Sequence, residues 1–317
     1  MAAPRYASID VGSNTVRLLL AERNPGGGMR YLRVERGITR LGGNFSREGG
    51  LDEKAMLRTL ELLQSFADLL SKEKVDAVFA VATGVVREAK NGREWIAEVL
   101  KKTGLPLRLI SGEEEARLML RGVLDSFKEQ ILSGIFVDIG GWSTEILWVE
   151  RNQPQSAKSL GLGVVALCEK FLASDPPGIN ELEAMENFTQ GVLEESREWF
   201  KRGGLKFSTL DLHLVGTAGT MTTLAAIDQK LLVYNPERVN GHQISRPALE
   251  KIYFHLRSLP MEERRKIPGV EAGREDLIVA GAGIALSILK VFGREGWVVI
   301  DSGLLQGVLL EGISRLS

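Results

Sequence analysis

Residues 135–146 read Ile-Phe-Val-Asp-Ile-Gly-Gly-Trp-Ser-Thr-Glu-Ile. The apolar run Ile135 to Ile139 has the pattern of a buried strand. Gly140-Gly141 breaks it, and a second strand resumes with Ser143, Thr144 and Glu145, leaving Asp138 at the mouth of the turn. Such a hairpin tip gathers a carboxylate, bare backbone amides and hydroxyls. Glycines let N–H groups approach an anion, hydroxyls add donors, and an acid among them makes sense if a divalent cation accompanies the anion. The stretch also reads as a plain glycine turn between two core strands, and alone it does not decide between the two.

A second copy decides it. Residues 9–18, IDVGSNTVRL, place Asp10, Gly12, Ser13 and Thr15 where the later stretch has Asp138, Gly140, Gly141 and Ser143, at a constant offset of 128 residues. A duplicated strand, Asp-x-Gly turn and polar strand predicts two similar domains that each present a hairpin to one cleft. A chain of 317 residues is also longer than one core usually fills.

Composition narrows the function. With 44% hydrophobic residues, 26% charged residues and a net charge of −1, the chain has no global field to attract a polyanion. An anionic substrate must be held locally. No aromatic and basic stripe marks a nucleic-acid surface. No apolar run of 18 residues suggests a membrane span, and no signal peptide is evident, so a cytoplasmic protein is expected. The single Cys168 is expected to be a buried apolar residue. His213, His242 and His255 lack metal-ligand spacing, which argues against a zinc site or a Ser-His-Asp triad.

Between the hairpins, strand and helix patterns alternate, predicting sheets with helices packed against them. Asp52 is expected to cap a helix carrying Met56, Leu60, Leu63, Ala67 and Leu70. A strand at 77–81 runs into Thr83 and Arg87, and an arginine at a strand's C-terminal edge can clamp phosphate. Asn91 with Glu94, and Ser111 with Glu114, read as capping boxes. A strand at 105–110 and a helix to about residue 127 frame the second box. Glu113-Glu114-Glu115 exceeds what the helix dipole accounts for, so one of these acids could position a water. A strand at 210–215 leads into Gly216, Thr217, Ala218, Gly219 and Thr220, a helix N-terminus able to hold phosphate, without the lysine of a P-loop. Gly281 and Gly283 lie inside a helical pattern and are expected to allow close helix packing.

Together these motifs resemble the exopolyphosphatase and guanosine pentaphosphate phosphohydrolase (Ppx/GppA) family, within the superfamily of acetate and sugar kinases, heat-shock chaperone ATPases and actin. The stretches IDVGSNTVRL, ATGVVREAKNG, ISGEEEARL, VDIGGWSTEI, GTAGT and DSGLLQGVL carry the resemblance, in family order. It implies an α/β fold of two ribonuclease H-like (actin-like ATPase) domains, residues 1–130 and 131–303, with the active site in the interdomain cleft. The last helix, about 304–317, is expected to return to the first domain. By the same resemblance Glu115 activates water, Glu145 is a second essential acid, and Arg87 contacts phosphate. Asp138 and Glu145 hold Mg²⁺ or Mn²⁺. Asp10, Gly12, Ser13, Asn14 and Thr15 form the first phosphate loop; Gly140, Gly141, Ser143 and Thr144 the second; Gly216, Thr217, Gly219 and Thr220 the third. The implied reaction is hydrolysis of the terminal phosphoanhydride of inorganic polyphosphate by a cytoplasmic homodimer. The alternatives are hydrolysis of guanosine pentaphosphate, pppGpp, and a guanosine penta- or tetraphosphate-binding regulator with weak hydrolysis. The chain departs from the family at Trp142, where a third glycine is usual, and at Asn240-Gly241, where His-Gly is frequent.

Overall fold

The computed structural model describes residues 3–126, 133–207 and 212–316. They form two compact units: the chain up to Ser126 together with the segment from Gly303, and the intervening residues to Ser302. The expected junction at 130/131 lies outside the described residues.

In the first unit, β1 (Arg5–Val11), β2 (Thr15–Arg23) and β3 (Met29–Ile38) form an antiparallel meander. The helix α1 (Glu53–Lys72) starts where Asp52 accepts the Ala55 amide, as expected. Next come β4 (Ala77–Ala82), a short α2 (Gly84–Glu88), α3 (Gly92–Thr103), β5 (Leu107–Leu109) and α4 (Gly112–Ser126). The sheet order is β3-β2-β1-β4-β5, with β4 parallel to β1 and β5 parallel to β4.

Two capping expectations change. Asn91 precedes α3 without capping it, because its amide is taken by the Leu51 backbone, N–H at 2.8 Å and C=O at 3.2 Å. Ser111 does accept the Glu114 amide, but the Glu114 carboxylate pairs with Arg108 instead of returning to the cap. The expected helix end at residue 127 is outside the described residues.

The second unit repeats the meander as β6 (Gly134–Ile139), β7 (Thr144–Glu150) and β8 (Gln153–Leu160). It continues through α5 (Val164–Phe171), α6 (Ile179–Arg202), β9 (His213–Thr217), α7 (Ala218–Asp228) and α8 (Pro236–Val239). The chain then forms β10 (His242–Ser245), α9 (Arg246–Ser258), α10 (Met261–Arg264), α11 (Ile278–Phe292) and β11 (Gly296–Val299). The expected start of β9 at residue 210 lies outside the described residues. The order β10-β11-β9-β6-β7-β8 reproduces the first sheet with one added antiparallel edge strand. The duplication in sequence is thus a duplication of topology.

Helix α11 is apolar on nearly every face, the pattern of a fully buried helix. A Cβ on Gly281 would lie 2.6 Å from Thr220, and one on Gly283 3.1 Å from Met185, so both glycines serve close packing, as expected. Cys168 is half-buried rather than buried. The last helix, α12 (Leu304–Ser314), packs Leu305 and Leu309 on Tyr6, Leu19 and Ala21 of the first unit, and Leu304 and Val308 on Val81, Ile110 and Leu118. Among the described residues no helix is long and apolar enough to cross a membrane.

Candidate active site

The two hairpin tips share one backbone device. Gly140 N–H donates to Ser143 O at 2.9 Å, and Gly12 N–H donates to Thr15 O at 3.1 Å, the same bond 128 residues earlier. The second tip is then pinned from behind. The N-terminal amides of α5 donate to its carbonyls, Val164 to Gly140 at 3.0 Å and Val165 to Gly141 at 2.7 Å. A planar trans peptide directs N–H opposite to C=O, so the Gly141 and Trp142 amides point away from α5. In the first tip the Gly42 amide holds the Ser13 carbonyl at 2.7 Å, which turns the Asn14 amide outward in the same manner. Successive outward amides make an anion-binding concavity. Glycine at 163 permits this lock, since its α-carbon lies against the Gly141-Trp142 backbone.

Beneath the tips the duplicated hairpins differ in charge. In the first, Asp10 faces Arg17 across the β1/β2 ladder and accepts from it at 2.6 Å. The other oxygen of Asp10 is buried with no hydrogen-bond partner among the described residues. In the second, Asp138 faces Glu145 in the equivalent register. Both are buried, 6% and 1% exposed. Two acids directly opposite on neighbouring strands repel, and a divalent cation relieves that repulsion. Among the described residues no group of three His, Cys, Asp or Glu forms a cage. Mg²⁺ is commonly held by one or two carboxylates plus ligand oxygens, and Asp138 with Glu145 offers such a carboxylate pair. Glu145 Oε1 accepts from Ser143 Oγ at 2.8 Å and from Ser159 Oγ at 2.7 Å, which fixes its rotamer.

A third cluster belongs to the first unit. Arg87 lies on α2, just past β4, and its Nη1 reaches Ile110 O at 3.1 Å and Glu115 Oε2 at 3.2 Å. Glu115 is buried in the first turn of α4, whereas Glu114 is drawn off to Arg108, so of these two acids the pairing sets Glu115 beside Arg87. Ser13 Oγ accepts the Val85 amide at 3.3 Å, tying the first hairpin tip to α2.

At the third loop the expected residues divide. Gly216 lies within β9, where a Cβ would meet Met221 at 2.7 Å and Trp297 at 3.1 Å, so its lack of a side chain serves packing. Thr220 Oγ donates to Ile139 O at 2.9 Å and anchors α7 to β6, and Thr144 Oγ donates to Leu162 O. A hydroxyl has one proton, so neither is left to donate to a ligand. Thr217 Oγ is buried without a hydrogen-bond partner among the described residues, ahead of the free amides that open α7. Ala218 holds a left-handed φ of 63° there.

Two contacts were not legible as motifs. The Arg274 guanidinium lies against Gly219, where a Cβ would come within 2.3 Å of it, and so lines the start of α7. Ser159 reaches Glu145 only because β8 pairs with β7 in that register. His242 is bonded to Asp228 at 2.7 Å.

With this geometry established, comparison with known proteins is specific. The family model described as the Ppx/GppA phosphatase family matches residues 20–316. The chain belongs to that family. It is 29% identical over 327 residues to Exopolyphosphatase 2 of Mycobacterium tuberculosis, covering 98% of this chain and 99% of that protein. It is 28% identical to a bifunctional 3-dehydroquinate synthase/phosphatase of Fusobacterium nucleatum; the match covers 98% of this chain but only 46% of that protein. The crystal structure of an Aquifex aeolicus Ppx/GppA family member superposes with a TM-score of 0.81 at 32% identity, covering 99% of each chain. The fold of this chain is accordingly the actin-like α/β fold of the family.

Proposed function

We propose that the chain hydrolyses the terminal phosphoanhydride of inorganic polyphosphate and releases orthophosphate. The observation that carries this reading is the divergence of the two hairpins. One neutralises its aspartate with Arg17, and the other sets Asp138 against Glu145 under a concavity of outward amides. Such a site is suited to a phosphate anion accompanied by a divalent cation. The polyphosphate substrate is that named for the Mycobacterium tuberculosis relative.

Each group then has a role. The Gly141 and Trp142 amides bind phosphate oxygens. Arg87, which also holds Glu115 at 3.2 Å, contacts the terminal phosphoryl group. Glu115 accepts a proton from the attacking water, whose oxygen bonds to the terminal phosphorus as the bridging P–O bond breaks. The shortened chain leaves with the bridging oxygen. Glu145, oriented by Ser143 and Ser159, positions the water. Mg²⁺ or Mn²⁺, held by Asp138 and Glu145, would supply charge neutralisation as negative charge builds on the phosphoryl oxygens. The same reading includes a cytoplasmic homodimer.

Trp142 at the tip of the second loop supports a second reading, hydrolysis or tight binding of a guanosine pentaphosphate, because an indole can stack on a base. Phosphate release from long-chain polyphosphate and from guanosine pentaphosphate, side by side with Mg²⁺, Mn²⁺ or EDTA, separates them. Glu115→Ala is expected to lose turnover while retaining substrate binding. Release from neither substrate by the wild type sinks the hydrolase reading.

A further inference from the structure

Away from the hairpins, the second unit has a groove of about 870 Å³. Helix α9 contributes Ala248 and Ile252 to its floor, and Leu259, just past the helix end, continues it; all three are half-buried, while Leu249 and Tyr253 on the other side of α9 are in the core. Ile227 at the end of α7 and Ile267 after α10 complete the lining. From Ala248 to the end of α9 the stripe runs about 15 Å at helical rise, and the extended Leu259 lengthens it. Lys230, Lys251, Lys266 and His255 also line the groove. Lys266 is paired with Glu263 at 2.6 Å, and Asp228 is bonded to His242. Lys230 and Lys251 have no carboxylate partner among the described residues. The groove therefore joins an elongated apolar floor to uncompensated positive charge. A contiguous apolar surface of this kind usually has an occupant, and this volume is that of ordinary ligand sites.

We propose that this groove binds one single-chain anionic amphiphile, a fatty-acid carboxylate, with its acyl chain along the α9 stripe and its head among the lysines. A polyphosphate or nucleotide would leave the apolar floor unused, and a neutral lipid would leave the lysines unused. Lysine stems lie along apolar surface while their amines stay in water, which suits a carboxylate at a groove mouth. This inference does not depend on the hydrolytic reading.

The test is titration of the full-length protein with oleate below its micelle concentration, followed by displacement of cis-parinarate fluorescence, with oleyl alcohol as the neutral comparator. Saturable one-to-one binding of oleate, at least tenfold tighter than the alcohol, is expected. Ile252→Glu should abolish it. Lys230→Glu with Lys251→Glu should weaken it at least tenfold; these exposed positions leave the fold intact, as thermal melts and unchanged phosphate release would verify. No saturable oleate binding overturns the proposal. So does equal affinity for the alcohol, or cosedimentation with anionic vesicles in the absence of monomer binding.

Discussion

The lock behind the second hairpin tip gives a quantitative forecast for Gly163→Ala. Gly163 has φ −127° and ψ 158°, a conformation that alanine adopts without strain. The added Cβ would lie 2.3 Å from Trp142 C and 2.4 Å from both Gly141 O and Trp142 N. Ordinary contact begins near 3.4 Å, so the tip or the start of α5 must shift by about 1 Å. Overpacking of this kind costs roughly 1–3 kcal/mol of stability. A 1 Å misplacement of substrate-positioning groups costs on the order of 10²-fold in rate. We therefore expect kcat on polyphosphate to fall about a hundredfold while the fold survives as a melt lowered by several degrees. The matched control is Gly161→Ala, two residues earlier, whose Cβ would meet nothing within 4 Å; it should behave as wild type. Steady-state phosphate release and thermal melting, run on all three proteins, decide the matter. A Gly163→Ala enzyme with wild-type kcat, or a Gly161→Ala enzyme equally impaired, would refute the argument that α5 presents the amides.

Ser159→Ala should lower kcat about tenfold, the worth of one hydrogen bond to a charged acceptor, with KM unchanged, and Ser159→Thr should restore it; a change in KM alone would assign Ser159 to substrate binding instead. Trp142→Gly should alter the ratio of guanosine pentaphosphate to polyphosphate turnover, and an unchanged ratio removes the indole from specificity. For pH, burial would raise the Glu311 carboxyl, but hydrogen bonds from Arg117 and Arg315 and the charges of Arg117 and Arg121 prevail and bring it from 4.5 down to about 2. A depressed folded value means stability that is present above pH 4.5 and lost as pH falls toward 2. The full shift corresponds to about 3 kcal/mol, of which roughly 1–2 kcal/mol remains after solvent screening of the partly exposed arginines. Glu311→Gln should thus melt several degrees lower at pH 7 and converge with wild type near pH 2; a constant difference across that range would exclude the ion cluster as its cause.

What could be read from the chain was local or periodic. Strand and helix patterns, the Asp52 cap and the Asp-x-Gly turns depend on neighbours within a few residues, and the repeat at offset 128 needs only two such patterns side by side. Those patterns determined the α/β alternation, the duplication and the candidate turns at Asp10 and Asp138, while the order of the motifs, through the family resemblance, supplied the two-domain fold and singled out Arg87, Glu115 and Glu145. Tertiary structure decided how those candidates are held. It drew the Asn91 amide to Leu51, committed the Thr144 and Thr220 hydroxyls to carbonyls, and placed Arg274 over Gly219. It also brought Ser159 to Glu145 and turned the Gly141 and Trp142 amides outward by anchoring the preceding carbonyls, of Gly140 and Gly141, on α5. The reason is that a donor or carbonyl takes whichever partner the fold brings within about 3 Å, and strand register and helix packing set that choice between residues far apart in the chain.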